Sequence, residues 1–434
     1  MHIYFSGIGG TAIGPLALIA AKAGFAVSGS DKQDSAYIAY LKKHGVTDVH
    51  IGQEYDQIKE VHAKNPIDWF VYTSALPMEN PDAPELRFCE ENTIKATKRD
   101  DFLNYLLEEK QLKLIAVAGT HGKTTTTAMI IWAMKQLGMP VSYSVGAKLS
   151  FGDMGEFDPE SEYFVYEADE FDRNFLSFKP YLSLITGVDW DHPDIYPTKE
   201  SYDEAFKQFL KQSASSLLWK ADATHLGFSS NSKRWIMDEA DSAIDQQLSL
   251  PGHVNRLDAW QVANAVQCFT STPLDEVLEI LNSFPGVARR FELIAPNLYS
   301  DYAHTPPKIR GALQLAHEVA GDNVVVVYEG LHNTRQHFIK DDLFELFDNV
   351  KQLYIVPSYL AREDPNLALL SPADLKDLLS PDAQKHTETA VLDDSLAQKI
   401  REHADGGDLV LVLSAGGGHS LDEWLRTTFT GLVS

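Results

Sequence analysis

Lys123 is the first residue in this 434-residue chain whose surroundings suggest chemistry. It stands in Leu114-Ile-Ala-Val-Ala-Gly-Thr-His-Gly-Lys-Thr-Thr-Thr-Thr127, where an apolar run, a glycine turn, a cation and a row of hydroxyls follow one another. Leu114 to Ala118 reads as a buried strand, Gly119 to Gly122 as a tight turn and Lys123 as the start of a helix. Gly119 and Gly122, with Thr120 and His121 between them, let the backbone aim its N–H groups at an anion, and the helix adds its positive end. In such a cradle Lys123 reaches the β/γ-phosphates of a nucleotide, and Thr124, followed by Thr125, offers a hydroxyl to magnesium. The strict phosphate-loop pattern asks for a glycine where this chain has Val117. A strand-turn-helix with a solvated lysine is the plainer alternative, but consecutive threonines are poor helix formers unless their hydroxyls are used.

Two further strands end in metal-binding side chains. Tyr163 to Asp169 closes on Glu167, Asp169, Glu170 and Asp172, and Tyr181 to Thr186 runs into Gly187-Val-Asp-Trp-Asp-His192-Pro-Asp194. The carboxyl ends of parallel strands are where open α/β sheets bind ligands. Glu167 and His192 are therefore expected near the cradle, which suits a second divalent cation that bridges the γ-phosphate and a second substrate. Solvated acidic loops are the alternative. At the amino terminus, Gly7, Gly9 and Ala12 follow a Gly-x-Gly-x-x-Ala pattern, with Gly10 and Thr11 inside it and Asp31 closing the next strand. This supports a nucleotide diphosphate at residues 7–14 and Ser30 or Asp31 beside a ribose or base. Close packing of a helix on a strand for structural reasons alone is the other reading.

The elements that position these residues form three α/β units. Residues 1–110 alternate strand and helix in the manner of a Rossmann-like domain, with strands at His2 to Ser6, Phe25 to Gly29, Val49 to Gly52 and Asp68 to Ala75. Residues 111–290 form a central phosphate-loop ATPase domain with a mainly parallel sheet, although the pattern blurs between Phe206 and Ala240. Residues 291–434 form a second Rossmann-like unit, with strands at Leu298 to Tyr302, Val324 to Tyr328, Gln352 to Val356, Val391 to Leu392 and Leu409 to Ser414. The first of these ends in Asp301-Tyr-Ala-His304-Thr-Pro and the second in Glu329-Gly-Leu-His-Asn-Thr334-Arg335. Acidic residues outnumber basic ones 62 to 37, and the formal charge of −25 disfavours nucleic acid or anionic membrane as partners. Cys89 and Cys268 lack metal-ligand spacing, as suits a reducing compartment, and no long apolar run precedes or interrupts the domains. A cytoplasmic enzyme on small molecules, monomer or homodimer, is expected.

With these segments assembled, the chain resembles the Mur ligases, the ATP-dependent amide-forming family of peptidoglycan precursor synthesis. Gly119-Thr-His-Gly-Lys-Thr, Glu167-Ala-Asp-Glu, Asp191-His192-x-Asp194, Pro251-Gly-x-x-Asn255, Arg289-Arg290-Phe and Asp301-Tyr-x-His304-x-Pro occur in that family's order across the whole chain. The resemblance implies three domains: one for a UDP-sugar, a central ATPase and a mobile carboxyl-terminal domain. It implies that ATP phosphorylates the carboxylate of a UDP-muramoyl substrate and that an amine then displaces phosphate. By resemblance, Lys123 contacts the β/γ-phosphates, Thr124 and Glu167 bind one Mg2+ (Mn2+ is an alternative) and His192 helps bind another. Asn255 contacts adenine, Arg290 the phosphates and Asp301 the ribose, while Ser74 and Ala75 line the sugar-nucleotide site. Lys207 matches the register of a lysine carbamylated in some relatives, a solvated helix lysine being the alternative.

The amine donor stays open. Gly7 to Gly14, Asp31, the Ser74 to Pro81 loop, His121 and Thr334-Arg335 are similar to the branch that adds L-alanine to UDP-N-acetylmuramate. That branch usually has Pro-His-Arg at Gly330-Leu331-His332, so Arg335 remains for the amino-acid carboxylate, with His304 as a further catalytic candidate. Glu167-Ala-Asp-Glu-Phe-Asp, Asp191-His-Pro-Asp-Ile-Tyr, Glu329 and Asn333-Thr334 lean toward the branch that adds a whole tripeptide. A nucleotide-binding partner protein without catalysis is a third reading, which the retained Lys123, Thr124, Glu167 and His192 oppose. A dehydrogenase reading of residues 1–31 leaves the phosphate loop unexplained.

Overall fold

The computed structural model describes residues 1–192, 195–360 and 363–429. Three sheets carry the chain. The first has strands β1 (His2–Ser6), β2 (Ala26–Asp31), β3 (Asp48–Ile51), β4 (Trp69–Tyr72) and β5 (Lys95–Lys98) in the order β3-β2-β1-β4-β5, all parallel. Ile3 and Phe5 face one apolar cluster and Tyr4 the other, the two-residue alternation of a sheet covered by helices on both faces.

The second sheet has β6 (Lys113–Ala118), β7 (Ser142–Ser144), β8 (Gly155–Glu156), β9 (Tyr163–Glu167), β10 (Leu182–Ile185), β11 (Ser215–Trp219) and β12 (Arg234–Met237) in the order β12-β11-β10-β6-β9-β7-β8. Only the β7–β8 pair is antiparallel. The stretch whose pattern blurs is regular: a helix over Lys199–Gln212, then β11, a helix over Lys220–Leu226 and β12. Its edge strand β12 is short and half-exposed, which removes the apolar periodicity that would announce it.

The third sheet has β13 (Glu292–Ala295), β14 (Leu298–Asp301), β15 (Val324–Leu331), β16 (Gln352–Tyr359), β17 (Thr387–Thr389) and β18 (Leu409–Leu413) in the order β13-β14-β18-β15-β16-β17, parallel except for β13 against β14. β15 is buried along its whole length, with Val324, Val326 and Tyr328 in one cluster and Val325 and Val327 in the other. Two expectations are corrected here. The edge strand lies at Thr387–Thr389, not at Val391 and Leu392, because Val391 is exposed and Asp393 already caps the next helix. Glu329 lies inside β15, which continues to Leu331, and not beyond the strand's end.

The chain divides into two compact units, one of Met1–Ser242 with Asp258–Phe284 and one of Ala243–Leu257 with Pro285–Ser434. Within the first unit, Ile3 and Phe5 of the first sheet share an apolar cluster with Leu114, Phe164 and Phe206 around the second. Residues 243–257, expected in the central domain, group with the last part of the chain. There Arg256 pairs with Asp245 at 2.6 Å and with Glu318 at 2.7 Å.

Candidate active site

The second sheet assembles its polar side chains by register. β6 is flanked by β9 and β10, with Val117 opposite Glu167 and Ala118 opposite Ile185. The turn that leaves β6 therefore emerges between Glu167 and Thr186, at the carboxyl edge of the sheet. Gly122 caps the helix Lys123–Gln136 with φ of 75°, and a β-carbon there would lie 2.9 Å from Asp258 Oδ1. Only glycine fits both conditions.

Lys123 is almost wholly enclosed. Its Nζ donates to Gly119 O at 2.6 Å and to Glu170 Oε2 at 2.6 Å. Burial works against its charge, but Glu170, Asp169 and Glu167 outweigh that and hold the ammonium above its ordinary pKa. Thr124 donates to Glu167 Oε1 at 2.8 Å, and Gly146 N to Glu167 Oε2 at 2.7 Å. His192, in a left-handed backbone conformation with φ of 55°, places Nε2 3.8 Å from Glu170 Oε1. Ligand atoms of Glu170, Asp191 and His192 all lie within 4.8 Å of one another. The structure thus pairs Thr124 with Glu167, and groups His192 with Glu170 and Asp191, two residues whose role the sequence does not assign. Their signal was the density of carboxylates after each strand. Asp194 of the same motif lies outside the described residues.

A hydroxyl, three carboxylates and an imidazole form a hard O/N donor set, which suits Mg2+ or Mn2+ better than a soft metal. His121 Nε2 lies 3.1 Å from Asp189 Oδ2, and the Thr120 hydroxyl joins Asp189 O at 2.6 Å and Tyr202 Oη at 2.7 Å, so both brace the loop against the segment after β10. Lys207 pairs with Glu204 on its own helix at 2.8 Å, the arrangement of a surface lysine. Burial pushes the Cys89 and Cys268 thiols up to about 12 and about 11, so neither is poised as a nucleophile.

In the first sheet, Gly7 N and Ile8 N both donate to Ser30 O, Gly9 N to Asp31 Oδ2 at 2.8 Å and Gly10 N to Gly7 O. Asp31 therefore holds the turn closed, and the exposed Gly10 and Thr11, with half-buried Ala12, are its open part. Ser30 is fully buried and its hydroxyl donates to Glu85 at 2.5 Å, so its side chain faces the interior and not a ribose. Glu85 also accepts from Tyr4 Oη and Ser6 Oγ, and burial raises its pKa; nothing in the sequence singles it out. Ser74 stands just before a short helix that begins at Ala75 and donates to Asp172.

In the second compact unit, His304 Nδ1 lies 2.8 Å from Tyr302 O and its Nε2 lies 3.4 Å from Arg335 Nη1. That pairing assigns the proton to Nδ1 and leaves Nε2 to accept from the guanidinium. Asp301, at the end of β14, accepts Phe291 N at 2.8 Å and Ala303 N at 2.7 Å, and burial raises its pKa although Arg290 and Arg289 oppose the shift. Arg289 and Arg290 hold their guanidinium carbons 4.7 and 4.8 Å from the Tyr302 ring. Asn255 donates to Pro251 O at 2.8 Å, near the start of the helix His253–Val266.

The chain matches known proteins along most of its length. Residues 2–111 match the Mur ligase family catalytic domain, 117–236 the Mur ligase middle domain and 289–416 the Mur ligase glutamate ligase domain. The chain is 29% identical to a UDP-N-acetylmuramate–L-alanine ligase of Clostridium botulinum over 450 residues, covering 96% of this chain and 95% of the relative. It is 28% identical to the enzyme of the same name from Clostridium acetobutylicum, with 95% of each chain covered. A UDP-N-acetylmuramate-alanine ligase from Thermotoga maritima shares the fold with a TM-score of 0.74 at 23% identity, over 100% of this chain and 99% of that one. A murein peptide ligase from Psychrobacter arcticus does so with a TM-score of 0.66 at 22% identity, over 100% of both chains. With three successive domain matches running from residue 2 to residue 416, the chain belongs to the Mur ligase family.

Proposed function

We propose that this chain joins L-alanine to the carboxylate of UDP-N-acetylmuramate at the expense of ATP. The observation that carries the reading is the enclosed Lys123 beside two sets of hard-metal ligands, Thr124 with Glu167 and Glu170 with Asp191 and His192, at one edge of a parallel sheet. A carboxylate and a triphosphate repel, so their reaction needs concentrated positive charge and an in-line arrangement. Lys123 and the amides at the start of its helix supply fixed charge for the phosphates. Mg2+ held by Thr124, Glu167 and His192 would neutralise the phosphate oxygens and the incoming acid.

The substrate carboxylate oxygen attacks the γ-phosphorus and the bond to the bridging oxygen breaks, giving an acyl phosphate and ADP. The free amine of alanine then adds to the acyl carbon, and the tetrahedral adduct expels phosphate and a proton to leave the amide. Residues 7–12 with Ser74 and Ala75 bind the UDP-sugar. His304 and Arg335 serve the amine donor, Arg335 taking its carboxylate. Asn255, Arg290 and Asp301 serve the nucleotide.

The tripeptide alternative loses support because residues that lean toward it are used by the fold. Glu329 accepts Ser414 Oγ at 2.6 Å and Leu421 N at 2.9 Å. Asn333 accepts Leu370 N and donates to Ala368 O. Phosphate release with ATP, UDP-N-acetylmuramate and either alanine or the tripeptide decides between them: turnover with alanine is expected, and turnover with the tripeptide alone would reverse the assignment.

A further inference from the structure

Asp172, which follows Glu170 by two positions, belongs to neither set of hard-metal ligands. Its side chain turns away from the phosphate loop and reaches the first sheet, where Oδ2 accepts the Ser74 hydroxyl and the Lys98 ammonium, the latter at 2.6 Å. Lys98 ends β5 and Ser74 follows β4 by two residues, so Asp172 sits at the carboxyl edge of two adjacent parallel strands, where sheets of this class bind ligands. The backbone that brings it there is unusual: Asp172 and Arg173 are both left-handed, with φ of 52° and 57°. Two successive residues other than glycine in that region persist only where their surroundings hold them.

Those surroundings tie the same short segment to both sites. Arg173 N donates to Glu170 O at 3.0 Å, and Tyr196 Oη donates to that same carbonyl at 2.6 Å. The Arg173 guanidinium lies 5.5 Å from the Tyr196 ring. Glu170 in turn holds Lys123. A rigid connection therefore runs from the Ser74 loop through Asp172 to the carboxylates beside the phosphate loop.

We propose that Asp172 is a positioning residue that fixes the Ser74 loop and Lys98 relative to Glu170 and Lys123, so that the muramoyl carboxylate meets the γ-phosphate in line. The inference rests on the functional reading above. Its chemical content is that Asp172 acts through Ser74 and Lys98 and touches neither ATP nor the amine.

The test compares Asp172→Asn, Asp172→Ala, Ser74→Ala and the Asp172→Ala/Ser74→Ala double variant in steady-state phosphate release, with the KM of each substrate measured separately. Asparagine tolerates the left-handed backbone and can still accept from Ser74, so Asp172→Asn keeps the fold and reports the loss of the carboxylate charge that faces Lys98. We expect the KM for UDP-N-acetylmuramate to rise about tenfold in Asp172→Ala and less in Asp172→Asn, with the KM for ATP and for alanine within about twofold. The double variant should be no worse than the poorer single one, because both changes cut the same connection. An unchanged KM for the sugar nucleotide, equal rises in all three KM values, or effects that multiply in the double variant would each overturn the positioning role. Failure of the parent protein to turn over UDP-N-acetylmuramate with either amine would instead overturn the functional reading on which it rests.

Discussion

At the scale of single residues, the most consequential contact is the buried pair of Lys123 with Glu170, whose side chains are 15% and 1% exposed. Removing one partner leaves the other charge without compensation, which typically costs about 3–5 kcal/mol. Lys123→Ala should therefore lower both stability and turnover, the latter by about 10²–10³-fold. Adding Glu170→Gln should restore much of the stability and none of the turnover, as urea unfolding and phosphate release would show. Arg335→Ala should raise the KM for alanine about 10–100-fold and leave that for ATP within about twofold, through loss of a charge-assisted contact. Asp258 gives a pH signature. It is 4% exposed beside Gly122, and burial pushes its carboxyl up to about 8, with the Thr126 hydroxyl pulling the other way. Between its ordinary value near 4 and about 8 the folded chain holds a proton that the unfolded chain releases, so this group's contribution to stability falls as pH rises through that window. Asp258→Asn abolishes that titration, and its melting temperature relative to the parent should climb from about pH 4 to about pH 8 and level off above that; a flat difference would show that Asp258 ionises normally.

At the scale of elements, the turn before Lys123 is held because strand, turn and helix each satisfy a different constraint. β6 is apolar and buried on both faces, the turn needs left-handed glycine at Gly122, and the helix presents Thr124 to Glu167 from its first turn. Gly122→Ala forces a β-carbon onto Asp258 and strains φ of 75°. The expected cost is about 1–3 kcal/mol in denaturant unfolding, together with weakened binding of a fluorescent ATP analogue. This element was legible in the sequence because its constraints are local: glycine spacing and apolar runs are read within a dozen residues. Ser30 shows where such local reading stops. Its position after the second strand suggested a ribose contact, but strand parity turns its hydroxyl inward to Glu85.

At the scale of the whole molecule, the formal charge of −25 would oppose the approach of the two anionic substrates proposed above, UDP-N-acetylmuramate and ATP. Screening weakens that long-range field more than the short contacts of the enclosed site. The kcat/KM for the sugar nucleotide should therefore rise between about 0.02 and about 0.15 M salt at fixed free Mg2+; a steady fall would mean that a local basic patch dominates approach. Among the described residues no helix is long and apolar enough to cross a membrane.

The sequence by itself determined the order of the motifs, the strand, glycine turn and helix around Lys123, the α/β class and the family, since each is encoded in short-range spacing of glycine, apolar and charged residues. Tertiary structure alone decided that Glu170 and Asp191 join His192, that Arg335 meets His304, that residues 243–257 group with the last sheet, and that Asp172 bridges two sheets. These depend on strand register and on contacts between residues far apart in the chain, which no local pattern records.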